Sequence, residues 1–143
     1  MTATAWNQKT IDEFKAKKGR GIGPWGDNVL LMTSRGAKSG NEITTPLVYR
    51  REGDDEFVVV ASKGGAPDHP RWYGNIQANP DVEIEVASDS GTERLSARAR
   101  VLPSGPERDR LFEFMSKVWP AFLDYQKKTT RTIPIVVLDR TTK

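Results

Sequence analysis

The feature that most constrains the fold is a strict alternation over residues 81–102. Val82, Ile84 and Val86 alternate with Glu83 and Glu85, and Leu95, Ala97, Ala99 and Val101 alternate with Ser96, Arg98 and Arg100. Successive side chains on a strand point to opposite faces, so each segment has one dry and one wet side. The turn signal Ser88–Gly91 joins them as an antiparallel hairpin. A chain organised around such a pair needs a layer to cover the dry face.

The remaining strands fit that scheme. Asn28–Ser34 contains the apolar run Val29-Leu30-Leu31-Met32, and Glu42–Arg51 alternates as a further strand. Gly53-Asp54-Asp55 turns the chain into Glu56–Ser62, whose Phe57-Val58-Val59-Val60 is apolar throughout. Ile133–Leu138 forms the last strand.

Short helices separate these strands. Thr10-Ile11-Asp12-Glu13 reads as a capping box that opens a helix to Lys17, with Gly19 and Gly21 ending it. Asp68 caps a helix with Pro70 in its first turn, and Asn79-Pro80 stops that helix near Ala78. Ser104-Gly105-Pro106-Glu107 opens another, with Leu111, Phe112, Met115 and Val118 as its apolar stripe. Pro120 interrupts it and restarts a helix through Lys127.

Six strands paired mostly as hairpins, with three or four helices and no strict βαβ alternation, predict an α+β fold. The expected form is a small antiparallel barrel with helices outside. Residues 1–143 read as one domain, with an N-terminal helix and Gly-rich loop over 1–27 and the barrel over 28–138.

Composition removes several chemistries. The chain has no cysteine, which excludes disulfides, thiol nucleophiles and Cys-ligated metals. A single histidine cannot build a His-rich metal site, so no metal is expected. The net charge is +3, from 22 basic and 19 acidic residues, which suits a small anion as well as nucleic acid. The basic residues are not interleaved with stacking aromatics, so no nucleic-acid partner is expected. No apolar run approaches transmembrane length, and the N-terminus lacks a signal core. A cytoplasmic protein, monomeric or a small homo-oligomer, is the expectation, with peripheral membrane contact left open.

Motifs narrow the function. Gly21-Ile22-Gly23-Pro24-Trp25-Gly26 matches G-x-G-x-x-G, but it precedes a strand and contains Pro24, so it reads as a loop. His69 reads as a turn residue, and Glu83 with Glu85 as a solvated strand face. Two other segments stand out, the first as an ordinary charged hairpin turn or an anion site and the second as a cofactor seat. Arg35-Gly36-Ala37-Lys38-Ser39-Gly40 presents amide N–H groups and two cations. Ala61-Ser62-Lys63-Gly64-Gly65 leaves the apolar strand and leads to Pro70, Trp72 and Tyr73. Trp119, Phe122 and Tyr125 read either as core packing or as a lid over a planar substrate. Lys127, Lys128 and Arg131 add a basic group beside that lid.

These segments together resemble the deazaflavin-dependent nitroreductase family, actinobacterial oxidoreductases that use coenzyme F420. The resemblance runs through Thr33–Gly40, Ala61–Ala66, Pro70–Pro80, and Asp124-Tyr125 followed by Arg131-Thr132-Ile133-Pro134, in the family's order. It implies a split β-barrel and coenzyme F420 as cofactor. Arg35, Gly36, Ala37, Lys38 and Ser39 would hold its phosphate and acidic tail. Ala61, Ser62, Lys63 and Gly64 would lie along the deazaflavin ring, with Pro70, Trp72 and Asn75 beside them.

The resemblance implies hydride transfer from reduced coenzyme to a planar electrophile: an α,β-unsaturated lactone or ketone, or a quinone. Val48, Trp119, Phe122 and Tyr125 would form the substrate pocket, with Trp72 at its border and the Tyr125 hydroxyl as proton donor. Val48 and the Trp119–Phe122 lid stand where the best-known nitroreductase member carries tyrosines, which argues against nitroimidazole activation. The alternatives are a non-catalytic carrier or sensor of F420 or flavin, and an FMN- or haem-binding barrel.

Overall fold

The computed structural model describes residues 5–141. Six strands close into one antiparallel barrel in the order β1-β2-β3-β6-β5-β4. They are β1 (Val29–Arg35), β2 (Glu42–Arg51), β3 (Glu56–Val60), β4 (Asp81–Ser88), β5 (Gly91–Leu102) and β6 (Ile135–Arg140). The hairpin expected over 81–102 forms with Ile84 opposite Leu95 and Ser88 opposite Gly91. Closure comes from β1 pairing with β4 and from β3 and β5 both pairing with β6. Each strand has a partner on both sides, although β2 meets β3 only over Tyr49–Arg51.

Four helices pack around the barrel: α1 (Ala5–Lys17), α2 (Arg71–Ala78), α3 (Pro106–Ser116) and α4 (Ala121–Lys127). Their placement explains the two kinds of strand. Phe57 and Val59 point into the barrel core, while Val58 and Val60 join an outer cluster with Leu111, Met115 and Phe122 of α3 and α4. A strand buried on both faces must be apolar throughout, as Phe57–Val60 is. On β4 only Val82, Ile84 and Val86 face inward, so the opposite positions remain polar.

Several boundaries differ from expectation. Thr10–Glu13 lies inside α1, which already begins at Ala5. Glu13 pairs instead with Lys17 at 2.8 Å and accepts from the Gly23 amide at 3.2 Å. Asp68 does not cap α2, where Pro70 takes the cap position without a side-chain hydrogen bond. Its carboxylate pairs with Lys63 at 3.0 Å. Gly105, not Ser104, precedes α3. β3 ends at Val60 and β6 starts at Ile135, because Ser62 turns helical and the Ile133 amide donates to the Gln126 side chain. Val118 lies beyond the end of α3.

Candidate active site

Two loops and one short helix converge at one end of the barrel. After β3 the chain runs through Ser62 in the right-handed helical region (φ −84°, ψ −38°), then Lys63 at φ +46° and Gly64 at φ +64°. A right-handed residue followed by a left-handed one turns successive amide N–H groups toward a common concavity, an arrangement that attracts anions. Among the described residues, the amides of Ser62, Lys63 and Gly64 donate to no protein acceptor. A left-handed lysine is uncommon and strained, and such strain persists only where the surroundings hold it.

The surroundings do hold it. Gly65 packs against α4 so closely that a Cβ there would meet the Tyr125 carbonyl oxygen at 2.6 Å. Arg131 donates to the carbonyls of Ser62 at 2.8 Å, Ala66 at 2.9 Å and Ala61 at 3.2 Å. It also contacts His69 Nδ1 at 2.9 Å. Arg131 therefore shapes the loop; it does not form a basic patch with Lys127 and Lys128. His69 is exposed and packs at a tilt against Tyr73, ring centroids 4.7 Å apart.

A cleft of about 310 Å³ opens between this loop, β2 and α4. Its walls include Val48, Ser62, Lys63, Gly64, Pro70, Trp72, Trp119, Phe122 and Tyr125, nine of the residues singled out from sequence. The volume lies within the usual range for small-molecule sites. Strand alternation puts Val48 on the cleft wall and Tyr49 in the barrel core, where burial raises the Tyr49 pKa.

The group of Trp119, Phe122 and Tyr125, with Phe122 buried in the outer core cluster, carries one oriented hydroxyl. Trp119 Nε1 lies 3.4 Å from the Tyr125 oxygen. An indole N–H can only donate, so the Tyr125 oxygen accepts and its own hydrogen is left for another acceptor. Phe122 meets Tyr125 edge-on, with centroids 6.1 Å apart.

The turn after β1 stands apart from the cleft but is tied to it. The Ala37 amide donates to Asn75 Oδ1 at 3.0 Å, and Asn75 lies one helical turn beyond Trp72 on α2. Arg35 braces the turn by donating to the Gly40 carbonyl at 3.2 Å. Lys38 is exposed and has no ion-pair partner among the described residues. Ala61 is fully buried and does not line the cleft.

Sequence reading missed part of the wall. Trp25, Thr45, Pro46, Leu47 and Val60 also line the cleft. Trp25 comes from the Gly-rich loop that mimics a dinucleotide fingerprint. The loop holds a 3₁₀ turn, Gly23–Trp25, and Trp25 meets Trp119 edge-on at 5.9 Å. An aromatic residue within a glycine-rich loop was the one available signal. Among the described residues, no three His, Asp or Glu side chains gather as a metal site requires, and no helix is long and apolar enough to cross a membrane.

A closed antiparallel barrel with an amide-rich loop and an aromatic wall around one cleft defines a cofactor-binding split-barrel protein. The chain belongs to the F420H(2)-dependent quinone reductase family, whose model matches residues 6–140. It is 43% identical over 113 residues to an F420H(2)-dependent quinone reductase of Mycobacterium tuberculosis (strain ATCC 25618 / H37Rv), covering 78% of this chain and 72% of that one. A solved structure described as F420-H2 dependent reductase FDR-A aligns with a TM-score of 0.69 at 36% identity, over 78% of this chain and 94% of the other. Another, described as a domain-swapped dimer, aligns with a TM-score of 0.70 at 33% identity, over 94% and 97%.

Proposed function

We propose that this protein is an F420H2-dependent reductase acting on planar α,β-unsaturated carbonyl compounds, coumarin-like lactones and enones first and quinones second. The observation that carries the reading is the junction of the Ser62–Gly64 loop and the Tyr125 hydroxyl within one cleft. A small homo-oligomer is part of the reading, by analogy with the domain-swapped relative.

The residues present fit the coenzyme. Three unaccepted amides at Ser62–Gly64 suit the electron-rich edge of a flat ring, and Trp72 offers an apolar border. Lys38, with no ion-pair partner among the described residues, and the Gly36–Ser39 turn suit a phosphate and an acidic tail. Asn75 braces that turn through the Ala37 amide. The coenzyme, when bound in reduced form, supplies the hydride.

The protein's own tasks are orientation and proton supply. Val48, Phe122 and Trp119 hold a planar substrate and exclude water. When the substrate's β-carbon receives hydride, charge develops on its carbonyl oxygen. The Tyr125 hydroxyl, with its oxygen engaged by Trp119, directs its hydrogen toward that charge. The proton passes to the product, and the phenol regains one from solvent.

Oxidation of reduced F420 by a panel of coumarins, enones and quinones tests the reading. Steady turnover is expected. Tight coenzyme binding with no turnover across the panel overturns it in favour of a carrier. Tyr125→Phe should lower kcat about 10²-fold, the lower range for a general acid, with coenzyme affinity little changed. Unchanged kcat would make water the proton source.

A further inference from the structure

We propose that Arg131, held against neutral His69, is the positioning residue that shapes the Ser62–Gly64 amide concavity, and that protonating His69 releases it. This rests on the coenzyme-binding reading above, but the clamp itself is a property of the free protein.

The geometry is specific. One guanidinium donates to three carbonyls of a single loop, those of Ala61, Ser62 and Ala66. In a trans peptide the carbonyl and the following N–H point in opposite directions. Drawing the Ala61 and Ser62 carbonyls to Arg131 therefore turns the Ser62 and Lys63 amides away from it. Those amides have no other acceptor among the described residues, and both residues line the cleft. The left-handed Lys63 needs such an external hold. A lysine at position 131 would keep the charge but could not span three carbonyls with a planar fork.

His69 completes the clamp. Arginine has no acceptor, so the 2.9 Å contact requires an unprotonated Nδ1 on His69. Protonation would replace this hydrogen bond with two cations in contact. The groups around His69 are Arg131, the Asp68 carboxylate already paired with Lys63, and the Tyr73 ring tilted against its own. Burial and Arg131 lower the His69 pKa, while Asp68 opposes them more weakly. A lowered value means that the clamp is intact above the ordinary histidine pKa. It is lost as pH falls through the lower folded value.

His69 is the only histidine, so its ring resonances can be followed by nitrogen NMR without ambiguity. Nδ1 should be unprotonated at neutral pH, and F420 affinity should fall about tenfold on acidification through its titration. His69→Asn retains an acceptor and cannot charge, so it should bind with affinity independent of pH over that window. Arg131→Lys should speed hydrogen exchange at the Gly65 and Ala66 amides and weaken F420 binding about tenfold at every pH. A protonated Nδ1 at neutral pH overturns the proposal. So does an unaltered pH profile in His69→Asn, or unchanged loop exchange in Arg131→Lys. If F420 fails to bind at any pH, the functional reading falls, while NMR and exchange still decide the clamp.

Discussion

The β4–β5 hairpin and the loop-and-lid corner use the same residue types in opposite ways. On the hairpin, charges pair between the strands in water: Arg94 with Glu83 on the diagonal at 3.1 Å and Arg98 with the facing Asp81 at 3.1 Å, every side chain more than half exposed. Such pairs contribute little, because solvent screens them and long side chains lose freedom. The apolar face beneath carries the hairpin's stability. At the corner, Arg131 is half-buried and holds three backbone carbonyls. Here one charged side chain sets a backbone shape. Aromatics divide similarly: Tyr49 and Phe57 fill the barrel, whereas Trp25, Trp119 and Tyr125 form a wall open to a ligand.

Four substitutions would sharpen or break this contrast. Ile84 is 1% exposed inside the barrel, and Ile84→Ala should lower unfolding free energy by about 2–5 kcal/mol in urea titrations. Its folded fraction should retain normal coenzyme affinity; a loss there would couple the hairpin to the cleft. Gly65→Ala combines a φ of +85° with a Cβ at 2.6 Å from backbone oxygen. The left-handed conformation costs about 1–2 kcal/mol and overpacking about 1–3 kcal/mol. Unlike Ile84→Ala, it should also impair F420 binding by fluorescence titration, since α4 and the loop must separate.

Lys38→Ala should weaken coenzyme binding by about 1.5–3 kcal/mol, the weight of a charge-assisted contact, and reduce its salt dependence. Unchanged affinity would remove the β1–β2 turn from the site. Glu83→Gln should shift stability by less than about 1 kcal/mol. A larger loss would mean that the hairpin's surface pairs act as a network.

The hairpin was legible because its information is local. Val82, Ile84 and Val86 alternate regardless of what packs on them, and the Ser88–Gly91 turn sets the register. Much of the cleft was legible too, as Ser62–Gly64, Trp72 and Tyr125 occur in short segments with a family pattern. Trp25 was not, because its loop mimics a phosphate-binding motif and its partner Trp119 is distant in sequence. Helix starts were misread where a local cap signal met a tertiary competitor. Asp68 could cap α2, but Lys63 claims its carboxylate. Thr10–Glu13 resembles a helix start, yet the chain is already helical from Ala5.

By itself, the sequence determined the strand pattern, the barrel class and the residue types available for a coenzyme. Those follow from side-chain periodicity and turn chemistry, which operate over a few residues. Tertiary structure alone decided that β6 enters between β3 and β5, that Trp25 meets Trp119, and that Arg131 reaches back about seventy residues to hold the loop after β3. These depend on which surfaces meet once the barrel closes, and no local pattern encodes that geometry.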